Sequence, residues 1–388
     1  MAYTGNIPVF NVPVYDRARR EGPGQLPEVP QNPPAGSLVM VDTFQDSFFH
    51  ADHGNIGAYA AKEHGFRGPV FAENMGPDQP TPPRAMAVHA GLNQGPVNAA
   101  QTRQGLQDIA RLQAADLLND VSGDLDKLRQ RGLHDSAVNV SYGTTPLAMA
   151  DQMLGIVRSS GNPNSPNHQF GQNVLNAYNI DPARLGSPDA KVSGPEIKRL
   201  HDSLLEATRS GMNTPEVKQA QQRYDRAVHN LQANHNSVVV SAGNQQEIAG
   251  QWTREASGHA TQLRPDDNHN LLANAEVTTV GATRWTKGPG GLSERVAEYS
   301  NQDPTVDVYA SGSVATSFDQ NQKTTQGTSF SSPRVAGALA ALHGNHPGAS
   351  AAQMRNLMNN RLTHPLPGAG APVLDFQAAE EYMRKGTF

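Results

Sequence analysis

Residues 327–337 combine a hydroxyl group with the small residues that a nucleophile on a tight turn requires. The segment is Gly-Thr-Ser-Phe-Ser-Ser-Pro-Arg-Val-Ala-Gly, with Ser329 at its third position. A glycine before the serine permits the sharp bend that exposes the hydroxyl, and the small residues after it let a helix pack closely behind. Pro333 suits the first turn of such a helix, whose N-terminus favours developing negative charge. The segment predicts a nucleophilic serine at the start of a helix; the alternative is an ordinary Ser/Gly loop that caps a helix.

The same segment resembles the serine motif of the subtilisin-like serine peptidases (subtilases), G-T-S-x-[SA]-x-P followed by x-V-A-G. The resemblance implies hydrolysis of peptide bonds through an Asp, His and Ser triad in that chain order, with a covalent acyl-enzyme. The resemblance implies a protein or peptide substrate. The chemistry that it implies requires no organic cofactor. Some members of the family bind structural calcium, for which this sequence places no site.

An acid and a base in the family's order lie upstream of Ser329. Asp42 ends the apolar run Leu-Val-Met-Val and precedes Thr43, as in the family's V-[IV]-D-[ST], and His53 followed by glycine matches the beginning of H-G-T-H-V-A. The resemblance makes His53 the base that takes the proton of Ser329. Asp42 then holds the histidine tautomer and stabilises the imidazolium.

The interval between these two residues is short for the family, only eleven residues, and Ile56 stands where the motif has its second histidine. A short loop can still bring a strand end beside a helix start, so the geometry is allowed. Other acids and bases lie nearby in the sequence. The alternatives are Asp46 and Asp52 for the acid, and His50 and His64 for the base.

Two more strand ends resemble segments of the family. Val238–Val240 leads into Ser-Ala-Gly-Asn, and the resemblance makes Asn244 the side chain that joins the serine N–H in binding the oxyanion. The segment Ser141, Tyr142 and Gly143 matches the family's S-x-G, whose backbone pairs with extended substrate. The alternatives are a Gly-Asn turn and an ordinary exposed strand end.

The elements that must position these residues follow from apolar runs and periodicity. Short apolar runs predict strands at 38–41, 137–140, 238–240, 277–280 and 306–309. Helical spacing predicts helices within 99–131, 146–157, 196–231, 332–342, 351–362 and 376–384, with a polar loop at 161–173. Strands that alternate with helices predict an α/β fold with a mainly parallel sheet, and the resemblance specifies the three-layer subtilisin-like arrangement.

The chain divides into an arm and one large domain. Residues 1–36 are rich in Pro and Gly and predict an extended N-terminal arm, while residues 37–388 form the predicted peptidase domain. The helical segment at about 146–234 exceeds what the family places between its S-x-G and A-G-N strands. We expect a decorating insertion, and the alternative is a platform for a substrate or partner.

Composition excludes several other classes of function. The 388 residues include no Cys, which excludes disulfides, zinc–thiolate sites and a cysteine nucleophile. The net charge of -5 gives no nucleic-acid footprint, and no apolar stretch approaches the length of a membrane span. Residues 266–269 (Asp-Asp-Asn-His) lack the spacing of a calcium loop and predict a solvated turn. The oligomeric state is left open.

The N-terminal residues lack the pattern of a secretory signal peptide. We therefore expect a cytoplasmic protein, or one exported by a signal-independent route as an effector or toxin. Two other functions use the same residues or the same fold: transpeptidation or macrocyclisation on the triad, and a catalytically silent subtilase-fold binding module.

Overall fold

The computed structural model describes residues 26–42, 44, 53–74, 83–181, 194–288, 291–316 and 323–386. The strands are β1 (Leu38–Asp42), β2 (Val70–Asn74), β3 (Ala137–Val140), β4 (Ser237–Ser241), β5 (Thr278–Gly288), β6 (Gly291–Val296), β7 (Val308–Ser311), β8 (Ser313–Thr316), β9 (Lys323–Gln326), β10 (Thr363–His364) and β11 (Val373–Leu374). The helices are α1 (His53–Glu63), α2 (Pro83–Asn93), α3 (Ala99–Gln130), α4 (Pro146–Ser159), α5 (His168–Ala177), α6 (Gly194–Met212), α7 (Pro215–Gln232), α8 (Gln246–Glu255), α9 (Thr328–Asn345), α10 (Ala351–Arg361) and α11 (Phe376–Lys385).

Most of the strands in the described ranges form one sheet, in the order β10-β11-β7-β5-β4-β3-β1-β2. Neighbours from β11 to β2 run parallel, β10 closes one edge antiparallel, and β6 pairs antiparallel with the extended end of β5. Strands β8 and β9 form a separate antiparallel hairpin. The predicted α/β fold with a mainly parallel sheet is confirmed.

Both faces of the sheet are buried, as the alternation of side chains along β1 shows. Leu38 and Met40 belong to a core with α9, α10 and α11, whereas Val39 and Val41 belong to a core with α3 to α7. Successive side chains of a strand point to opposite faces, and each face here meets a layer of helices. This arrangement explains why the parallel strands are continuous apolar runs rather than alternating ones.

The helical segment predicted as an insertion contributes to the second of these cores. Leu204 of α6 and Tyr224 of α7 are fully buried and share a cluster with Leu118 of α3. The Tyr224 hydroxyl donates to the carbonyl of Leu272 at 2.8 Å. The two helices therefore pack as part of the main core in the described structure.

Helices α1 and α9 approach closely because small residues line their contact. A Cβ at Gly57 would lie 2.8 Å from the Met40 methyl and 3.3 Å from Pro333 Cγ, and one at Gly337 would lie 3.3 Å from the Ala61 methyl. Most residues of α9 are buried, including Val335. The small residues let the two helices sit side by side on the sheet.

Part of the predicted N-terminal arm lies along the edge of the sheet. Residues 1–25 fall outside the described residues, but Val29 is buried in the core. The Ala72 N–H of β2 donates to the Pro27 carbonyl at 2.9 Å, and Glu28 forms an isolated parallel bridge with Ala72. This part of the arm therefore covers the outer side of β2.

Helix α5 occupies much of the stretch where the sequence predicts a polar loop. Its Phe170 and Val174 are buried, and the Asn173 amide donates to the carbonyls of Leu92 and Gly95 at 2.7 and 2.9 Å. The polar residues of the stretch thus bind backbone groups of a neighbouring segment, a role that sequence periodicity does not reveal. No helix among the described residues is long and apolar enough to cross a membrane.

A buried histidine connects α9 to the amino end of β4. The side chain of His343 is inaccessible to solvent, and its Nε2 lies 2.8 Å from the Ser237 hydroxyl. Burial lowers the pKa of His343 to about 4. The folded chain therefore resists protonation of a group that the unfolded chain protonates readily below about pH 6.5.

We predict that His343→Gln weakens the acid sensitivity of the fold. Between pH 6.5 and about 4 the unfolded state binds a proton here and the folded state does not, so stability falls as the pH falls. From pH 7 to pH 5 this residue should account for about 2 kcal/mol of the lost unfolding free energy. Urea denaturation of both proteins at the two pH values measures the difference. For each protein, the unfolding free energy at pH 7 is the reference for the value at pH 5. An equal loss of unfolding free energy in both proteins would contradict the role of His343.

Candidate active site

The acid of the predicted triad is the last residue of β1. Asp42 is fully buried, and its Oδ1 and Oδ2 lie 2.8 and 3.0 Å from His53 Nδ1. A buried carboxylate requires hydrogen-bond donors to offset its desolvation. The imidazole N–H is one such donor, which fixes the proton of His53 on Nδ1 and leaves Nε2 as an acceptor.

The base is the first residue of α1, and its second nitrogen faces the serine. His53 Nε2 lies 3.0 Å from Ser329 Oγ, and the imidazole ring packs 5.2 Å from the ring of Phe330. The side chain is 36% exposed, so part of it remains accessible to solvent. The short interval after Asp42 is therefore compatible with a hydrogen-bonded Asp42–His53–Ser329 series.

Ser329 lies in the first turn of α9, directly after the strand β9 and the extended Gly327. The first four N–H groups of a helix have no partner within the helix. The Ser329 N–H is one of these groups, and the dipole of the 18-residue helix places partial positive charge around it. The Ser329 hydroxyl thus lies beside a base. The Ser329 N–H lies at the end of the helix where negative charge is stabilised.

The side-chain amide of Asn244 is oriented by Thr328. The Thr328 N–H and hydroxyl donate to one atom of the amide, at 2.9 and 3.0 Å, so that atom is Oδ1. The Gly243 N–H in turn donates to the Thr328 hydroxyl at 3.1 Å. Since Oδ1 is occupied by two donors, Nδ2 is left to face the serine side.

Gly327 leaves a small space between the nucleophile and this amide. A Cβ at Gly327 would lie 3.0 Å from Ser329 Oγ and 3.5 Å from Asn244 Nδ2. The backbone of Gly327 is extended, so its conformation does not require glycine. The need for glycine is steric, because a methyl group here would occupy the space between the hydroxyl and the amide donor.

Asn301, which the sequence analysis missed, supports the Asn244 turn. Its Nδ2 donates to the Ala242 carbonyl at 2.9 Å, and its Oδ1 accepts from the Gln245 N–H at 2.8 Å. Gly243 has φ +100, and a Cβ there would lie 2.6 Å from Asn301 Nδ2. No local pattern marks Asn301, because its partners lie about sixty residues earlier in the chain.

The predicted substrate-binding segment follows β3 and contacts the serine turn. The Ser141 hydroxyl donates to the Ser329 carbonyl at 3.3 Å, Tyr142 is half-buried, and Gly143 is exposed. A Cβ at Gly143 would lie 2.1 Å from Asn270 Nδ2, so only glycine fits at this position. The structure therefore brings Ser141 to the serine turn, whereas Tyr142 and Gly143 follow it along the same edge of the sheet.

The alternative acids and bases are placed differently or not described. Asp46, Asp52 and His50 lie outside the described residues. His64 is buried beyond the last turn of α1, where its Nδ1 accepts from Arg334 Nε at 2.9 Å. Burial and the neighbouring guanidinium lower the pKa of His64 well below its ordinary value. His64 is therefore engaged away from Ser329.

The expectation of a solvated turn at 266–269 is wrong at one residue. Asp267 is buried, and its carboxylate accepts from Arg209 Nε and Nη2 at 2.8 and 2.5 Å. This ion pair joins α6 to a 3-10 turn and gives the carboxylate a structural partner. Across the described part of the chain, no three histidine or acidic side chains come together as a metal site would require.

Comparisons with known proteins agree with the resemblance seen in the sequence. Residues 203–376 match the sequence model of the subtilase family, which confirms that resemblance. Among solved structures, a lanthipeptide protease is 13% identical, with 89% of this chain and 87% of that chain covered and a TM-score of 0.46. Fervidolysin from Fervidobacterium pennivorans, a keratinolytic enzyme related to subtilisin, is 22% identical over 41% of this chain and 24% of its own, with a TM-score of 0.28.

A third solved structure, sphericase, is 14% identical, with 63% of this chain and 55% of that chain covered and a TM-score of 0.30. No curated protein sequence matches this chain.

We predict that Asn244→Ala lowers kcat by about 10²–10³ and leaves KM nearly unchanged, because an oxyanion donor acts mainly on the transition state. The matched control is Asn236→Ala at the amino end of β4. Asn236 is buried, and its amide donates to the Leu133 and Leu231 carbonyls at 2.9 and 3.0 Å. Its loss should lower the melting temperature and spare kcat. A folded Asn244→Ala protein with near-wild-type kcat would remove Asn244 from the site.

Proposed function

The chain carries the subtilase family's sequence pattern over residues 203–376, and on that basis we propose that it is a serine endopeptidase. The observation that supports this function most is the hydrogen-bonded series of Asp42, His53 and Ser329, with distances of 2.8 and 3.0 Å. An ordinary cap of a helix would need no histidine between a buried carboxylate and the serine hydroxyl. The Asp, His and Ser series is the arrangement that activates a hydroxyl for attack on a carbonyl.

In the acylation step, Ser329 Oγ attacks the carbonyl carbon of the scissile peptide bond while His53 Nε2 accepts the hydroxyl proton. The carbonyl oxygen becomes an oxyanion, which the Ser329 N–H and Asn244 Nδ2 are suited to bind. His53 then gives its proton to the leaving amine as the C–N bond breaks. Asp42 stays ionised and stabilises the imidazolium that forms between these two transfers.

In the deacylation step, water takes the place of the departed amine beside His53. The imidazole accepts a proton from the water as its oxygen attacks the acyl-enzyme, and Ser329 leaves with that proton restored to Oγ. The imidazole is partly exposed, so water can approach the ring. A transpeptidase would use the same first step but would accept an amine instead of water.

We predict that Ser329→Ala abolishes both cleavage of casein and labelling by a fluorophosphonate probe without loss of the fold. Triad members act as a unit, so kcat should fall by on the order of 10⁶. The matched control is Ser332→Ala in the same helix. The Ser332 hydroxyl is buried and has no hydrogen-bond partner among the described residues, so its removal should leave both readouts intact.

The same assay separates the other two functions. A silent binding module would show neither labelling nor cleavage in the wild-type protein. A transpeptidase would be labelled, and an added peptide amine would divert the acyl-enzyme from hydrolysis to a joined product. Turnover that survives Ser329→Ala in a preparation free of other peptidases would contradict the proposed nucleophile.

We predict that His53→Ala inactivates the enzyme as fully as Ser329→Ala, because the hydroxyl loses its proton acceptor. His50→Ala and His64→Ala leave the acceptor in place and should keep turnover far above that of His53→Ala. Initial rates on a peptide substrate, with melting temperatures of the same preparations, measure this ranking. An inactive, folded His50→Ala protein would move the base to His50.

A further inference from the structure

Arg334 is a buried cation in the helix that carries the nucleophile. It stands five residues after Ser329 in α9, at a position that the family's serine motif leaves variable, and it is 1% exposed. A guanidinium offers five N–H donors in one plane and cannot lose its proton in proteins. Its burial is tolerated only when those donors find acceptors, so its partners indicate what the residue holds in place.

Two of these partners lie at the end of the helix that begins with His53. Arg334 Nη2 donates to Glu63 Oε2 at 2.6 Å, and Nε donates to His64 Nδ1 at 2.9 Å. Glu63 is the last residue of α1 and its side chain is only 17% exposed. The ion pair is therefore shielded from solvent and fixes α1 against α9.

The other partners flank the turn between β7 and the β8–β9 hairpin, which leads to the serine. The guanidinium donates to the carbonyls of Ser311 and Ser313, the latter at 2.9 Å. Between these two residues, the Gly312 carbonyl accepts from the Gly327 N–H at 3.0 Å. Arg334 thus holds residues 311–313 in place. This segment pairs with Gly327, which lies two positions before Ser329.

We propose that Arg334 is a positioning residue that sets the separation of His53 and Ser329. One planar group joins α1, α9 and the turn between β7 and β8. Helix α1 begins with His53, α9 carries Ser329, and the turn pairs with Gly327 just before the serine. The inference rests on the proposed peptidase activity. A misplacement of about 1 Å between reacting groups costs up to roughly 100-fold in rate, so a fixed separation has a direct effect on kcat.

The test is Arg334→Lys, which keeps the positive charge beside Glu63 but has a single donor group instead of the planar fork. An ammonium cannot reach Glu63, His64 and both carbonyls at once. We expect kcat for a peptide substrate to fall roughly 10- to 100-fold, with KM within about twofold of the wild type because the substrate strands are untouched. Glu63→Gln, which keeps the side-chain shape, should give a smaller fall in kcat of the same kind.

The matched control is Arg355→Met. Arg355 of α10 donates to the backbone carbonyl of Val277 at 2.7 Å, at the amino end of β5 and away from the carboxyl ends of the strands. This variant should lower the melting temperature without changing kcat. If Arg334→Lys and Glu63→Gln fold and lose only thermal stability, as the control does, Arg334 is not a positioning residue.

Crystal structures of the wild type and Arg334→Lys give a second readout that needs no turnover. We expect the distance from His53 Nε2 to Ser329 Oγ to increase from 3.0 Å beyond the hydrogen-bond limit of about 3.5 Å. An unchanged distance overturns the proposal. A wild type that hydrolyses nothing, together with a displaced triad in Arg334→Lys, would reject the peptidase and keep the positioning role.

Discussion

Strands β1, β3 and β4 run parallel and in register, with Val41 beside Val140 and Val140 beside Val240. Their carboxyl ends must therefore reach the same edge of the sheet. Asp42 is the last residue of β1, Ser141 follows β3, and the turn with Asn244 follows β4. The hydrogen-bond register of three strands thus brings together an acid, a support for the serine turn and an amide donor. Each of these groups is about a hundred residues from the next in the chain.

The serine and histidine depend on a second constraint, the close contact of α1 with α9. Both helices start near the edge where the strands end, and the glycines Gly57 and Gly337 let their backbones approach. Because His53 is the first residue of α1 and Ser329 lies in the first turn of α9, the packing of the helices carries the two side chains toward each other. A larger residue at either glycine would separate the helices and hence the side chains at their starts.

Local sequence was sufficient for several features that depend only on neighbouring residues in the chain. Each of these features depends on particular neighbouring residues that are visible in the sequence. They are the apolar runs of the strands, the glycine before Ser329 and the strand end before Asn244. The predicted positions of Asp42 and His53 depended on the family's order, and the structure places His53 between Asp42 and Ser329. The catalytic roles of these residues stay predictions.

Two side chains that the sequence analysis did not mark have partners far away in the chain. Asn301 binds the turn at 242–245, and Arg334 binds residues at 63–64 and 311–313. Neither is marked by periodicity or by a motif, because a hydrogen bond over such a separation exists only after the sheet has formed. Helix α5 was missed for a similar reason: its polar side chains are satisfied by the backbone of another segment.

The segment that lies outside β2 has a consequence for solubility. Strand β2 ends the sheet on this side, and the outer N–H and C=O groups of such a strand can recruit a strand from another molecule. Here the Ala72 N–H is already bound by the Pro27 carbonyl, and Val29, two residues later, is buried in the core. Residues 26–29 thus occupy part of the β2 edge. That part is not open to a strand from another molecule, which lowers the tendency of the folded chain to aggregate.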